Sequence, residues 1–112
     1  MRILFDHVTP AGIARFLKGH IVTKAKDRGW DRLTNGDLLA RAEQEGFDVF
    51  VTADKNMRYQ QNFVGRRIAV VMLSAPNWPI VKLRLEEIAA AVNAATPGSY
   101  VEVEIPFRQP WR

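Results

Sequence analysis

Residues 67–73, RIAVVML, form the most apolar run of the chain. A strand that is apolar on both faces is typical of a parallel sheet covered by helices on either side. Shorter strand-forming runs occur at residues 2–5, 20–23 and 48–52. Residues 100–105 alternate apolar and acidic residues, which predicts a half-exposed edge strand.

Helical patterns lie between these strands. Thr9 and Pro10 favour the start of a helix that Gly19 would end. Residues 35–46, NGDLLARAEQEG, predict a second helix, and residues 53–62, ADKNMRYQQN, a third helix or turn. The longest helix is predicted at residues 79–95, where apolar residues recur at steps of four, three, four and three: Val81, Leu85, Ile88, Val92 and Ala95.

This alternation predicts an α/β fold, in which a mostly parallel sheet of four or five strands lies between helices. A chain of 112 residues is the size of one domain. We expect one domain over residues 1–112, with a core at 1–95 and an edge strand and basic tail at 96–112. No apolar run approaches the ~20 residues that span a bilayer, and MRILFD does not resemble a signal peptide, so a cytoplasmic protein without membrane contact is expected.

Composition restricts the chemistry. The chain has no cysteine, and His7 and His20 are its only histidines, so thiolate and multi-histidine metal sites are excluded. Any metal would be held by carboxylates, which favours Mg²⁺ or Mn²⁺. A formal charge of +4 and a pI near 9.9 favour polyanionic partners such as RNA or an acidic protein.

Three acidic residues are candidates for such a site. Asp6 closes the first predicted strand, Asp54 lies just past the third, and Asp37 lies in the first turn of a helix expected to begin at the same edge. Ligands of open parallel sheets bind outside the carboxyl ends of the strands, so the three carboxylates converge if the first and third strands are neighbours. Taken singly, each is also explained as a turn or helix-capping residue.

Several segments resemble a family of small bacterial PIN-like proteins. They are LFDHVTP (4–10), NGDLLARAEQEG (35–46), VFVTADKNMRYQQN (49–62), RRIAVVML (66–73) and NWP (77–79). The resemblance covers roughly residues 1–95 and implies a three-layer α/β/α sandwich.

The resemblance also implies a function. Many PIN-like proteins are Mg²⁺- or Mn²⁺-dependent ribonucleases, often the toxin of a toxin–antitoxin pair, and their acids match Asp6, Asp37 and Asp54. An antitoxin protein and a second copy of the chain are therefore candidate partners beside RNA. The sequence departs from the family at His7, where many relatives carry a second acid, and at residues 73–78, which lack the fourth acid of fuller nucleases.

The residues after Asp54 are candidates for substrate binding. Lys55 and Arg58 are suited to phosphate contact, Tyr59 to stacking on a base, and Asn56 adjoins them; the alternative is a solvated helix with one buried aromatic residue. His7 is a candidate proton carrier or a residue supporting the site.

Three functions are compatible with these residues. The leading one is a metal-dependent endoribonuclease with Asp6, Asp37 and Asp54 as metal-binding and catalytic residues. The second is a non-catalytic PIN-like module that binds RNA or protein. The third, a phosphoacceptor receiver-like domain, fits least because His7 interrupts the acidic pair that such a domain needs after its first strand.

Overall fold

The computed structural model of the chain describes residues 1–54 and 66–105. The third helix or turn predicted at residues 53–62 falls mostly outside these ranges, as does the basic tail from residue 106 onward. Among the described residues, no helix is both long enough and apolar enough to cross a membrane.

Five strands form one sheet in the order β2-β1-β3-β4-β5. Every neighbouring pair in this sheet is parallel, which confirms the predicted α/β class. The strand with alternating acidic residues, β5, lies at one edge, as its pattern predicted. The strands are β1 (Arg2–Phe5), β2 (Ile21–Lys24), β3 (Val49–Thr52), β4 (Ala69–Leu73) and β5 (Tyr100–Val103).

The sheet is buried on both faces, as a parallel sheet requires. Alternate residues of each central strand enter two different apolar clusters: Phe5 belongs to one and Leu4 to the other. All residues of β3 and β4 are buried. Val103 and Ile105 join the cluster that contains Phe5, so the buried core extends beyond residue 95.

Helical segments cover both faces. On the Phe5 face, Ile13 of η1 and Ile88 of α3 join the core cluster; on the Leu4 face, Ala25 of η2 and Leu39 of α1 do so. The 3₁₀ helices are η1 (Ala11–Phe16), η2 (Ala25–Arg28) and η3 (Lys82–Arg84), and the α-helices are α1 (Asn35–Gln44), α2 (Trp78–Val81) and α3 (Leu85–Asn93).

The first predicted helix is a short 3₁₀ helix, and Thr9 does not cap it. The residue at the N-cap is Pro10, which makes no side-chain hydrogen bond to the helix. The Thr9 hydroxyl bonds to Asp6 instead. At six residues this segment is longer than the three to four residues usual for a 3₁₀ helix.

The long helix predicted at residues 79–95 is divided into α2, η3 and α3. The apolar stripe nevertheless faces the core, because Val81, Leu85, Ile88 and Val92 are all buried. The sequence pattern therefore identified the buried face correctly but did not reveal the tighter turn at residues 82–84.

The second predicted helix, α1, begins and ends as expected. The Thr34 hydroxyl accepts a hydrogen bond from the amide of Asp37 at 3.3 Å, which caps the first turn. Gly46 has a φ of +84°, a left-handed conformation that glycine adopts without strain, and the chain leaves the helix there.

Phe50 tests the importance of the Leu4-face core, since its side chain is fully buried. We expect Phe50→Ala to lower the free energy of unfolding by about 3–5 kcal/mol, because it removes apolar contacts and leaves a cavity. Val101→Ala on the exposed side of β5 is the control, with an expected change within about 0.5 kcal/mol. Urea unfolding followed by circular dichroism measures both; equal losses would contradict this account of the core.

Candidate functional site

The pairing of β1 with β3 sets the geometry of the candidate site. Phe5 is in register with Val51, so the next residues along, Asp6 and Thr52, face each other at the carboxyl ends of the two strands. The amide of Asp6 also lies 3.4 Å from the carbonyl oxygen of Val51, which continues the ladder by one residue. The condition set by the sequence analysis, that the first and third strands are neighbours, is therefore met.

Asp6 is a buried carboxylate held by two threonines. Its side chain is only 3% exposed. Oδ1 accepts hydrogen bonds from the Thr9 amide at 3.1 Å and from the Thr9 hydroxyl at 2.5 Å. Oδ2 accepts a hydrogen bond from the Thr52 hydroxyl at 2.5 Å. These bonds fix the orientation of the carboxylate at the sheet edge.

This arrangement leaves room for one further contact. A carboxylate has about four lone-pair positions, two on each oxygen. Both positions on Oδ1 are directed at donors of Thr9, whereas Oδ2 accepts from one donor among the described residues, the hydroxyl of Thr52. The second position on Oδ2 is therefore where a cation, a water or a proton can approach.

Burial raises the pKa of the Asp6 carboxyl above its usual value. The low-dielectric surroundings disfavour the charged form, and this outweighs the hydrogen bonds from Thr52 and Thr9 and the nearby His7, all of which act in the opposite direction. The fold thus compensates the charge of the ionised form of Asp6 only in part. A positive charge at Oδ2 would complete the compensation.

The Thr9 hydroxyl can serve either protonation state of Asp6. Its oxygen lies 2.5 Å from Asp6 Oδ1 and 2.9 Å from the carbonyl oxygen of Val51, yet it carries a single proton. When the carboxylate is ionised, that proton points to Asp6. When Asp6 carries a proton on Oδ1, the carboxyl donates to Thr9 and the threonine donates to Val51.

Asp54 is joined to this group through the backbone. Its amide donates to the Thr52 hydroxyl at 3.1 Å, and the same hydroxyl donates to Asp6. Asp54 itself is half-buried and lies two residues past the end of β3. One threonine hydroxyl therefore connects the two acidic residues at the ends of neighbouring strands.

Asp37 is not brought into this group. It is exposed in the first turn of α1. Among residues 1–54 and 66–105, no three Asp, Glu, His or Cys side chains are placed to hold a metal ion together. The remaining segments, 55–65 and 106–112, contain none of these four residue types. The expected convergence of Asp6, Asp37 and Asp54 into one three-carboxylate site is thus not seen.

The other predicted site residues are placed as follows. His7 is exposed and adjoins the Asp6 carboxylate. The candidate substrate-binding residues Lys55, Asn56, Arg58 and Tyr59 lie outside the described residues, so their role stays a prediction.

The two threonines contribute more to the site than their sequence positions predict. The sequence favours a helix cap for Thr9 and a strand position for Thr52. For both residues, the alternative from sequence is a hydroxyl that holds a metal-bound water. A signal was available, since Thr52 is the one polar residue of the buried strand VFVT. A polar residue at the end of an apolar strand, in register with an acid on the neighbouring strand, indicates a hydrogen-bonded pair.

A separate surface cavity of about 360 Å³ lies at the opposite, amino end of the sheet. Its acids, Glu43 and Asp48, accept hydrogen bonds from the amides of Arg67 and Arg2 at 2.7 Å and 2.8 Å. These contacts connect the loops at that end of the sheet. The acids there have a structural role, and the carboxyl end remains the better candidate site.

Comparisons of the chain with protein-family models, with curated proteins and with solved structures find no match.

The side chains at the carboxyl end of the sheet are of the chemical types that bind a hydrated divalent cation. It offers carboxylates and hydroxyls only, which suits Mg²⁺ or Mn²⁺. Mg²⁺ keeps several waters and is commonly bound through one or two carboxylates together with a substrate phosphate. Asp6, through the open position on Oδ2, and Asp54 meet that requirement, whereas a site made by three protein carboxylates does not fit the structure.

The raised pKa of Asp6 gives a pH dependence of stability. The folded protein binds a proton at Asp6 more tightly than the unfolded chain does, so the free energy of unfolding falls as pH rises through the window between the usual Asp value of 3.8 and the raised value. Below that window the stabilising contribution of Asp6 is fully present, and above the raised pKa it is lost. We expect Asp6→Asn to lack this component and to be as stable as wild type or more so at neutral pH.

Urea unfolding at a series of pH values measures the effect. Asp31→Asn, at an exposed acid, is the matched control and should keep the wild-type pH profile. Identical pH profiles for wild type and Asp6→Asn would show that Asp6 is not the group responsible.

Proposed function

We propose that the protein is a metal-dependent endoribonuclease of the PIN-like type, with Asp6 and Asp54 at its centre. The toxin role and the antitoxin partner implied by the sequence resemblance are part of this proposal. Asp37 is left out of the metal site, because it is exposed in the first turn of α1 and is not part of a three-acid group among the described residues.

The observation that carries the proposal is the link between the two acids. Asp6 and Asp54 follow neighbouring parallel strands, and the Thr52 hydroxyl bonds to the carboxylate of the first and the amide of the second. This is the edge of an open α/β sheet at which ligands bind. A buried acid with incomplete charge compensation at that edge is typical of a functional group rather than of a structural one.

The distribution of charge supports a polyanionic substrate at the same edge. Of the sixteen Lys and Arg residues, all but four lie among the described residues, together with all twelve acids. The formal charge of the described residues is therefore zero. The net +4 belongs to Lys55 and Arg58, which follow β3, and to Arg108 and Arg112, which follow β5.

Asp54 and Ile105, the last described residues before these two cationic segments, lie at the carboxyl ends of the strands. Asp54 follows β3, and the amide of Ile105 donates to the Ser74 hydroxyl at 2.6 Å just past β4. Positive charge attracts nucleic acid by a salt-sensitive electrostatic term.

Each residue has a separate part in the chemistry. Thr9 and Thr52 orient the Asp6 carboxylate, and Asp54 supplies the second acidic side chain. Lys55 and Arg58 hold the phosphate, and Tyr59 contacts a base. When bound, Mg²⁺ or Mn²⁺ supplies an activated water and neutralises charge at the phosphate.

A second function, a non-catalytic module that binds RNA or protein, is favoured by one observation. Three hydrogen bonds from within the chain already satisfy most of the Asp6 carboxylate. A purely structural buried acid is satisfied in the same way. Divalent-metal binding separates the two functions, since the module has no need of a cation.

Metal binding is tested by thermal unfolding in Mn²⁺. An ion at one hundred times its dissociation constant stabilises the folded state by about 2.7 kcal/mol. We expect the melting temperature of wild type to rise, and that of Asp6→Asn and Asp54→Asn to rise little or not at all. Asp37→Asn is the matched control and should respond as wild type does.

Two results would change this assignment. A loss of the Mn²⁺ response in Asp37→Asn would restore the three-carboxylate site. Equal responses in all four proteins would mean that neither Asp6 nor Asp54 binds the ion, and the non-catalytic module would be preferred.

Cleavage is tested with single-stranded RNA. We expect metal-dependent cleavage that chelator abolishes, and an Asp54→Asn protein that binds RNA within about twofold of wild type but cleaves no faster than the chelated sample. Lys55→Ala should weaken RNA binding and lower its salt dependence by about 0.7 of a charge, the value for one phosphate contact to a single strand. Lys26→Ala, at an exposed lysine of η2, is the control.

Wild-type protein that binds RNA but shows no cleavage above the Asp54→Asn background would leave the binding module as the function.

A further inference from the structure

Trp78 is a large aromatic residue that the core does not enclose. It begins α2 shortly after β4 and is 38% exposed. Trp30, by contrast, is buried and packs edge-to-face with Phe47 at a ring separation of 6.1 Å. Packing within the core therefore accounts for Trp30 and leaves the exposed part of Trp78 unexplained.

The Trp78 ring lies directly on the backbone of Gly12 in η1. A Cβ atom placed on Gly12 would be 2.4 Å from Cη2 and 2.7 Å from Cζ2 of the indole. Such distances are far below a van der Waals contact, so any side chain at residue 12 would displace the ring. Gly12 is not among the glycines with positive φ, and its role is thus to provide space for the indole.

This contact places the indole beside the acidic residues. Gly12 is three residues from Thr9, which holds the Asp6 carboxylate. Trp78 follows β4, the strand that pairs with β3, and β3 leads to Asp54. The Gly12–Trp78 contact therefore belongs to the same edge of the sheet as the Asp6–Thr52–Asp54 group.

The segments that carry the two contacting residues are basic. Residues 7–25, which include Gly12 and η1, contain no acid and carry Arg15, Lys18 and Lys24. Residues 66–85, which include Trp78, α2 and η3, also contain no acid and carry four basic residues. An exposed ring within such segments suits a partner that combines a negative backbone with flat apolar groups.

We propose that Trp78, supported by Gly12, is a stacking platform for an unpaired base of RNA that binds next to the Asp6–Thr52–Asp54 group. The platform rests on the proposed function, because it takes the same RNA substrate. Stacking on an aromatic side chain needs an unpaired base and tolerates any base identity. The platform thus selects single-stranded or looped RNA over duplex.

The test compares two ligands of equal charge: an eight-nucleotide RNA and an abasic strand of the same length. Binding is measured in chelator, so that no cleavage occurs. We expect Trp78→Ala to bind the RNA roughly 5- to 150-fold more weakly, the fold-change that corresponds to one stacked base. Its affinity for the abasic strand should stay within twofold of wild type, because the phosphate contacts are unchanged.

Three further variants complete the experiment. Trp78→Phe keeps an aromatic ring and should retain most of the RNA affinity. Gly12→Ala keeps Trp78 but displaces its indole, because the new Cβ takes the space of the ring. This variant should therefore also bind the RNA more weakly, with no change in affinity for the abasic strand. Leu83→Ala, at a 60% exposed apolar residue of η3, is the matched control and should bind both ligands as wild type does.

The outcomes are distinguishable from those of the proposed function. If Trp78→Ala binds the RNA as wild type does, or loses affinity for both strands equally, the platform is wrong while the nuclease proposal stands. If wild type binds no RNA, both fail. If wild type prefers the RNA to the abasic strand through Trp78 but never cleaves it, the platform holds and catalysis does not.

Discussion

The parallel pairing of β1 with β3 is the constraint on which the candidate site depends. Phe5 and Val51 are in register, and this brings Asp6 opposite Thr52 although the two residues are far apart in the sequence. A shift of one residue in this pairing would turn Asp6 toward the other face of the sheet and separate it from Thr52. The apolar residues that alternate between the two core clusters therefore also fix the position of the acid, because they allow only one register.

Much of the fold could be predicted from the sequence because it follows from local patterns. The apolar run at β4 and the alternating acids of β5 gave the class of sheet and one of its edges, and the stripe from Val81 to Val92 gave a buried helical face. The 3₁₀ helix η1 could not be predicted, since its form depends on Thr9 bonding across to Asp6 rather than to its own helix. The Thr9 hydroxyl also lies 2.9 Å from the carbonyl oxygen of Val51 on the neighbouring strand, and local helix propensity does not include such a contact.

The candidate site could be predicted in part for the same reason. The positions of Asp6 and Asp54 follow from strand ends, which the sequence shows. The place of Asp37 depends on how far the helix α1 carries its first turn from the sheet, which no local pattern encodes. The contributions of Thr9 and Thr52 depend on register, and register becomes known only when the order of strands is known.

The strand order also determines what protects the sheet. β4 is apolar along its whole length and would be an exposed edge if β5 were missing. An exposed apolar edge with unpaired backbone groups is a template for aggregation. β5 occupies that edge. Glu102 in β5 and Glu104 just after it are exposed acidic residues, and like charges on approaching copies repel each other. β5 therefore covers the edge of β4 and prevents it from pairing with a neighbouring molecule.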